Sequence, residues 1–125
     1  MVAPTRIQLH KKSGLLELQF GEKIWQLTAE FLRVHSPSAE VKGHGKGQEV
    51  LQYGKKNVRI TNIQPSGNYA VLLIFDDGHD SGIYTWDYLE KLCQNQDSYW
   101  NSYLEKLHRA GQTREPDTSA VKFIN

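Results

Sequence analysis

The sequence predicts an α+β fold, a small antiparallel β-rich domain with a C-terminal amphipathic helix, on three observations. Leu16, Leu18 and Phe20 alternate with Glu17 and Gln19, the period-two pattern of a strand with one covered face. Short turn signals, Gly21-Glu22 and Asp77-Gly78, separate such runs. After Thr85 the apolar residues Trp86, Leu89, Cys93, Trp100, Tyr103, Leu104 and Leu107 recur at helical spacing.

Taken in order, Arg6 to His10 is expected as a first strand and Leu16 to Phe20 as the second. Gly21-Glu22 then supplies a two-residue type II′ turn into a third strand at Lys23 to Leu27. Thr28 stands where an N-cap belongs, and the short helix after it must stop before His35, because Ser36 precedes Pro37. Ser36 to Gly47 carries breakers in place of periodicity and is expected as a loop, of a length that compact domains usually keep for function. Val58 to Ile63 alternates again, and Pro65 to Asn68 turns the chain into Tyr69 to Phe75, whose unbroken apolar content marks a central strand covered on both faces. Asp76 to Asp80 leads into a last strand at Ser81 to Tyr84. Thr85 caps the long helix, and Ala110-Gly111 stops it.

A chain of 125 residues suits one core: residues 1–111 are expected as the domain and residues 112–125 as a flexible tail. The longest apolar run, Ala70 to Phe75, is far shorter than the ~20 residues that cross a bilayer, so no membrane partner is expected. The N-terminus lacks an apolar stretch followed by a small-residue cleavage site, and the expected location is cytoplasmic. Fifteen Lys and Arg against fourteen Asp and Glu give +1, too little to draw in nucleic acid; Lys42, Lys46, Lys55, Lys56 and Arg59 form a loosely basic local run. The single cysteine, Cys93, can form neither an internal disulfide nor a multi-thiolate metal site, and its place on the apolar stripe reads as structural.

Few motifs carry chemistry. GHGKG at residues 43–47 has the glycines of an anion-binding loop but not the spacing or the Ser/Thr of a phosphate loop. Ser36 or Ser81 with His79 and Asp80 supplies the residue types of a hydrolytic triad without a nucleophile elbow. None of the five histidines begins the H-x-D or H-x-E of a 2-His-1-carboxylate iron site. His79 with His35 or His44 and Asp76, Asp77 or Asp80 is the remaining imidazole–carboxylate set, a weak zinc or iron site at most, and turn-to-backbone hydrogen bonds account for the same residues. Tyr88 and Tyr99 add aromatic surface suited to a protein partner.

LRVHSPSAEV from Leu32, GHG at residues 43–45, VRI at 58–60, NYAV at 68–71 and FDDGHDSGIYTWDYL at 75–89 together resemble the gamma-butyrobetaine hydroxylase-like N-terminal domain family, DUF971. Such domains stand alone in bacteria, precede the catalytic domain of the γ-butyrobetaine and trimethyllysine dioxygenases, and follow some Mrp-like iron–sulfur ATPases. The resemblance implies a bacterial stand-alone member with an α+β fold and a docking role. It also maps the zinc ligands of the eukaryotic enzymes onto Ser36, Ser38, Val41 and His79, of which only His79 is a competent ligand. The jelly-roll domain that holds the oxygenase chemistry does not fit in this length, so no catalytic residue is expected. The implied function is a non-catalytic protein-interaction module linked to metallocofactor or iron–sulfur assembly. Its surface would be Ser36, Pro37, Ser38, His44, Asp77, His79 and Asp80, its partner an unidentified protein, and no cofactor is expected. The alternative is a metal-binding protein or an accessory component of a metal-dependent oxidoreductase, holding zinc or iron.

Overall fold

In the computed structural model, which describes residues 2–43 and 45–116, the alternating segment becomes the middle of a three-stranded antiparallel sheet. Its strands are β1 (Arg6–His10), β2 (Leu15–Phe20) and β3 (Lys23–Thr28), with Leu18 opposite both Ile7 and Trp25. Leu16, Leu18 and Phe20 are buried, and the residues between them are half-buried, as the period of two requires. Thr28 caps α1 (Ala29–Val34): its hydroxyl accepts the Phe31 N–H at 3.0 Å.

The second sheet orders β4 (Ile60–Ser66), β5 (Ala70–Phe75) and β6 (Gly82–Thr85), all antiparallel. β4 begins later than the alternation suggests and continues through Pro65, which an edge strand tolerates because one of its sides needs no ladder donors. A register shift between Ile60 and Asn62 puts Thr61 in a bulge, and the turn into β5 falls at residues 67–69. β5 is central, with Val71, Leu73 and Phe75 buried on its inner face; on the outer face Ala70 is buried but Leu72 and Ile74 are half-buried.

Two expectations need correction. The 36–47 segment, expected as a loop, contains a helical turn, α2 (Ala39–Lys42), because Ser38 caps it and accepts the Glu40 N–H at 3.2 Å. The long helix is two, α3 (Trp86–Gln94) and α4 (Gln96–Ala110). Asn95 separates them at φ −117° and ψ 24°, its side-chain amide donating to the Lys91 carbonyl at 2.8 Å. On α3 the buried residues are Leu89, Leu92 and Cys93, on α4 they are Tyr103 and Leu107 with Leu104 exposed, and Trp86 and Trp100 only flank the core. Gly111 closes α4 in the left-handed conformation. Beyond it the Thr113 and Arg114 carbonyls accept the Gly54 and Lys56 N–H groups, each at 3.0 Å. Residues 117–125 of the expected tail lie outside the described residues.

One apolar cluster joins both sheets, α1 and α3, and a smaller one of Val34, Tyr103 and Leu107 seats α4. α1 is enclosed: all six of its residues are buried, Glu30 and Arg33 among them. Arg114 meets Glu30 with two parallel bonds of 2.8 and 2.7 Å, and Arg33 Nε donates to Asp77 at 2.9 Å.

Which face of α4 is buried can be tested. Leu107→Ala should cost about 2–5 kcal/mol in denaturant melts, as a buried leucine does, and Leu104→Ala no more than about 0.5 kcal/mol. Equal costs would mean that Leu104 is buried as Leu107 is.

Candidate functional site

The 76–81 turn brings His79 beneath α2. Ser36 Oγ and His79 Nε2 are 2.8 Å apart, and Ser36 Oγ also accepts the Ser38 N–H at 3.2 Å. Ser38 Oγ lies 2.8 Å from Ser81 Oγ, and the Ser81 hydroxyl donates to Glu40 at 3.0 Å. Asp77 accepts from Arg33 Nε at 2.9 Å, Lys55 Nζ at 2.7 Å and the His79 N–H at 3.2 Å. Gly82 makes room for the cluster, since a Cβ there would stand 2.7 Å from Ser36 Oγ.

The structure thus gathers Ser36, Ser38, Asp77 and His79, but the serines and His79 face inward, at 1%, 7% and 3% exposure. Pro37 is half-buried, Asp80 is exposed, and His44 lies outside the described residues. His35 is not part of the cluster; its Nδ1 bonds the Phe31 carbonyl at 2.8 Å and its ring stacks on Tyr99.

Three of the four positions that the resemblance assigns to zinc, Ser36, Ser38 and His79, come together, while Val41 lines the groove on the other side of the segment; the set does not fit that metal. Two are neutral hydroxyls already hydrogen-bonded, Val41 is apolar, and the His79 Nε2 is engaged by Ser36. Among the described residues no group of three or more His, Cys, Asp or Glu is placed to hold a metal ion. Ser36, His79 and Glu40, whose Oε2 lies 3.4 Å from His79 Nδ1, also resemble a hydrolytic relay. Ser36 is a poor nucleophile here: its oxygen is enclosed and accepts a backbone N–H. Cys93 is likewise quiet, buried with its thiol pushed up to about 12.

Burial lowers the His79 pKa below its ordinary value, and the Arg33 guanidinium acts the same way against the opposing pull of Glu40 and Asp77. Burial pulls the Asp77 carboxyl upward, but Lys55, the His79 N–H and Arg33 outweigh it and hold its pKa below the usual value.

On its other side the 34–42 segment lines a groove of about 710 Å³, closed by residues 49–52, α3 and α4. Val34, Val41, Leu51, Tyr88, Tyr99 and Tyr103 supply its apolar and aromatic surface, and Lys42, Lys91, Lys106 and Arg109 its charge. Sequence reasoning found Tyr88 and Tyr99 but missed Lys91, Lys106 and Arg109, whose only signal is their spacing along two helices. The linear basic run is not one patch: Lys55 pairs with Asp77, Lys56 pairs with Glu115, and of its five members only Lys42 lines the groove. In the glycine loop the Gly47 N–H is taken by the Glu49 carboxylate.

Two antiparallel sheets on one core, an enclosed capped helix and C-terminal helices define a small α+β domain. A family model described as gamma-butyrobetaine hydroxylase-like, N-terminal, matches residues 7–90, and the chain belongs to that family. Two NMR solution structures are similar to it. One is 55% identical with a TM-score of 0.83, covering 100% of this chain and 99% of that one. The other is 49% identical with a TM-score of 0.79, covering 93% and 87%. A crystal structure of a DUF971-family protein of unknown function from Acidithiobacillus ferrooxidans ATCC 23270 is 36% identical, with a TM-score of 0.60 over 71% of this chain and 90% of that one. No curated protein matches the chain. No helix among the described residues is long and apolar enough to cross a membrane.

Two measurements check the cluster. Untagged protein dialysed against chelator should carry no stoichiometric zinc; bound zinc that His79→Ala releases would overturn the fit argued above. The pH dependence follows from the lowered pKa values. Between the folded His79 value and its unfolded value near 6.5, the unfolded chain binds more protons, so stability falls as pH drops below about 6.5. Asp77 acts with the same sign lower down, its contribution present above about pH 4 and lost as pH falls further. Burial lowers the His35 pKa as well and adds to the upper step. His79→Asn should therefore reduce that step in denaturant melts and leave the lower one; an unchanged upper step would remove His79 from the account.

Proposed function

We propose that this domain is a non-catalytic protein-interaction module that docks its partner in the groove between α2, residues 49–52, α3 and α4. The carrying observation is the division of labour within the 34–42 segment. Its inward side is tied down by Ser36, Ser38 and His79, and its outward side presents His35, Val41 and Lys42 to an open groove. A polar set that is buried and hydrogen-bonded serves as a support, and the recognition surface is the one it holds in place. This moves the interface from the turn around His79 to the neighbouring groove, with Pro37 and Asp80 at its margin. The domain works without a resident metal in this reading: of the positions the resemblance assigns to ligands two are hydroxyls engaged in hydrogen bonds, one is apolar, and a single imidazole is left. Its resemblance to domains joined to Mrp-like iron–sulfur ATPases favours a partner from metallocofactor assembly.

Site-specific photo-crosslinking in native cells tests the proposal. A photoreactive phenylalanine analogue at position 91 or 106 should trap one discrete protein adduct, and the same analogue at position 23, in the β2–β3 turn, should not. Adducts from position 23 alone would move the interface to the first sheet.

A further inference from the structure

We infer that the groove's occupant is an acidic peptide segment of a partner protein, carrying a large apolar side chain; this rests on the docking reading above and adds the chemistry of what docks. Lys42, Lys91, Lys106 and Arg109 line the groove against one acid, Glu49. That acid is turned to its own loop, where its two oxygens accept the Gly47 N–H at 3.1 and 2.9 Å. All four cations are exposed. Arg109 pairs with Glu105 on α4, whereas Lys42, Lys91 and Lys106 make no ion pair among the described residues. Lys42 Nζ sits 4.5 Å from the centre of the Tyr88 ring. Elsewhere the balance is reversed, with eleven basic residues against thirteen acidic ones. A positive groove on an otherwise slightly acidic chain steers a short acidic segment to this face and repels a longer polyanion.

The floor determines the rest of the occupant. Val34, Val41 and Tyr103 are buried beneath it and Leu51 is half-buried, while the His35 and Tyr99 rings stack at 5.8 Å. The Tyr88 and Tyr103 hydroxyls are engaged by the His35 and Gln52 carbonyls at 2.6 and 2.8 Å, so these rings offer carbon surface to the groove. Its volume of about 710 Å³ lies within the ~300–1,000 Å³ of sites that enclose a compact ligand, enough for a bulky side chain with flanking carboxylates at the rim. A nucleic acid would instead follow a continuous basic track, and the linear basic run is divided among ion pairs with Asp77 and Glu115.

The test titrates the full chain with a fluorescent short peptide of Asp and Glu around a central Phe. Saturable binding should weaken about tenfold or more in Lys91→Glu with Lys106→Glu, the size of losing two rim charges, and weaken similarly when salt rises well above physiological strength. Lys11→Glu with Lys23→Glu, away from the groove, should bind as the wild type does. Replacing Phe by Ser, or the acids by Lys, should abolish binding. No saturable binding at about 1 mM peptide, indifference to the groove charge reversals, or tighter binding of a single-stranded oligonucleotide would each overturn the inference. If photo-crosslinks from positions 91 and 106 persist in that case, docking stands and the acidic occupant alone fails; if they too are absent, both fail.

Discussion

The enclosure of α1 sets the terms for the rest of the molecule. A six-residue helix buried on every side exposes none of its polar groups to water, and each unpaired one would cost on the order of 1–3 kcal/mol, more for the charges. Its partners therefore come from distant parts of the chain. Glu30 takes Arg114 from beyond α4, and Arg33 takes Asp77 from the β5–β6 turn. The Leu32 carbonyl accepts the Tyr84 hydroxyl and the His35 carbonyl accepts that of Tyr88, so β6 and α3 complete the end of the helix. Removing α1 would leave both sheets without their common filling, and removing any partner would add another unbonded buried group to Arg33 Nη1, which already lacks a hydrogen bond.

The serine–histidine cluster extends the same logic. Where the resemblance puts zinc ligands, this chain has small hydroxyls and a neutral imidazole, and hydrogen bonds of 2.8 Å hold the 36–38 segment to the 79–81 turn. The replacement keeps the two segments together without a closed coordination shell, and it works only because Gly82 leaves space for Ser36. The cost is sensitivity to acid, since protonated His79 would stand beside Arg33 in a buried site.

The groove differs in kind, because its charges remain exposed and most of them unpaired among the described residues. The cluster turns its polar atoms inward, most of them bonded to one another, whereas the groove's cations face solvent above an apolar floor, and the proposed docking rests on that contrast. Both are built on the 34–42 segment, and that shared element is why the functional reading moves only from one of its sides to the other.

The sequence by itself determined the fold class, the hairpin, the Thr28 and Thr85 caps, the centrality of β5 and the membership of the family. The structural features rest on local chemistry, side-chain alternation, hydroxyls placed before a helix and apolar runs, and the family rests on resemblance of motifs such as FDDGHDSGIYTWDYL. It did not reveal the break at Asn95, because the apolar spacing on either side is equally compatible with one helix, and only a side-chain bond to Lys91 ends the first. The turn at Ala39–Lys42 was hidden for a related reason, since the proline and glycines around it mask a four-residue helix whose cap is a single serine hydroxyl. The tertiary structure alone decided which way the site residues face. Ser36 and His79 are 43 residues apart, and whether such a pair meets inside or opens to solvent depends on how α1 docks between the sheets. The groove's cations are dispersed along α2, α3 and α4, and their common field exists only once the packing of Tyr103 and Leu107 against Val34 sets α4 in place.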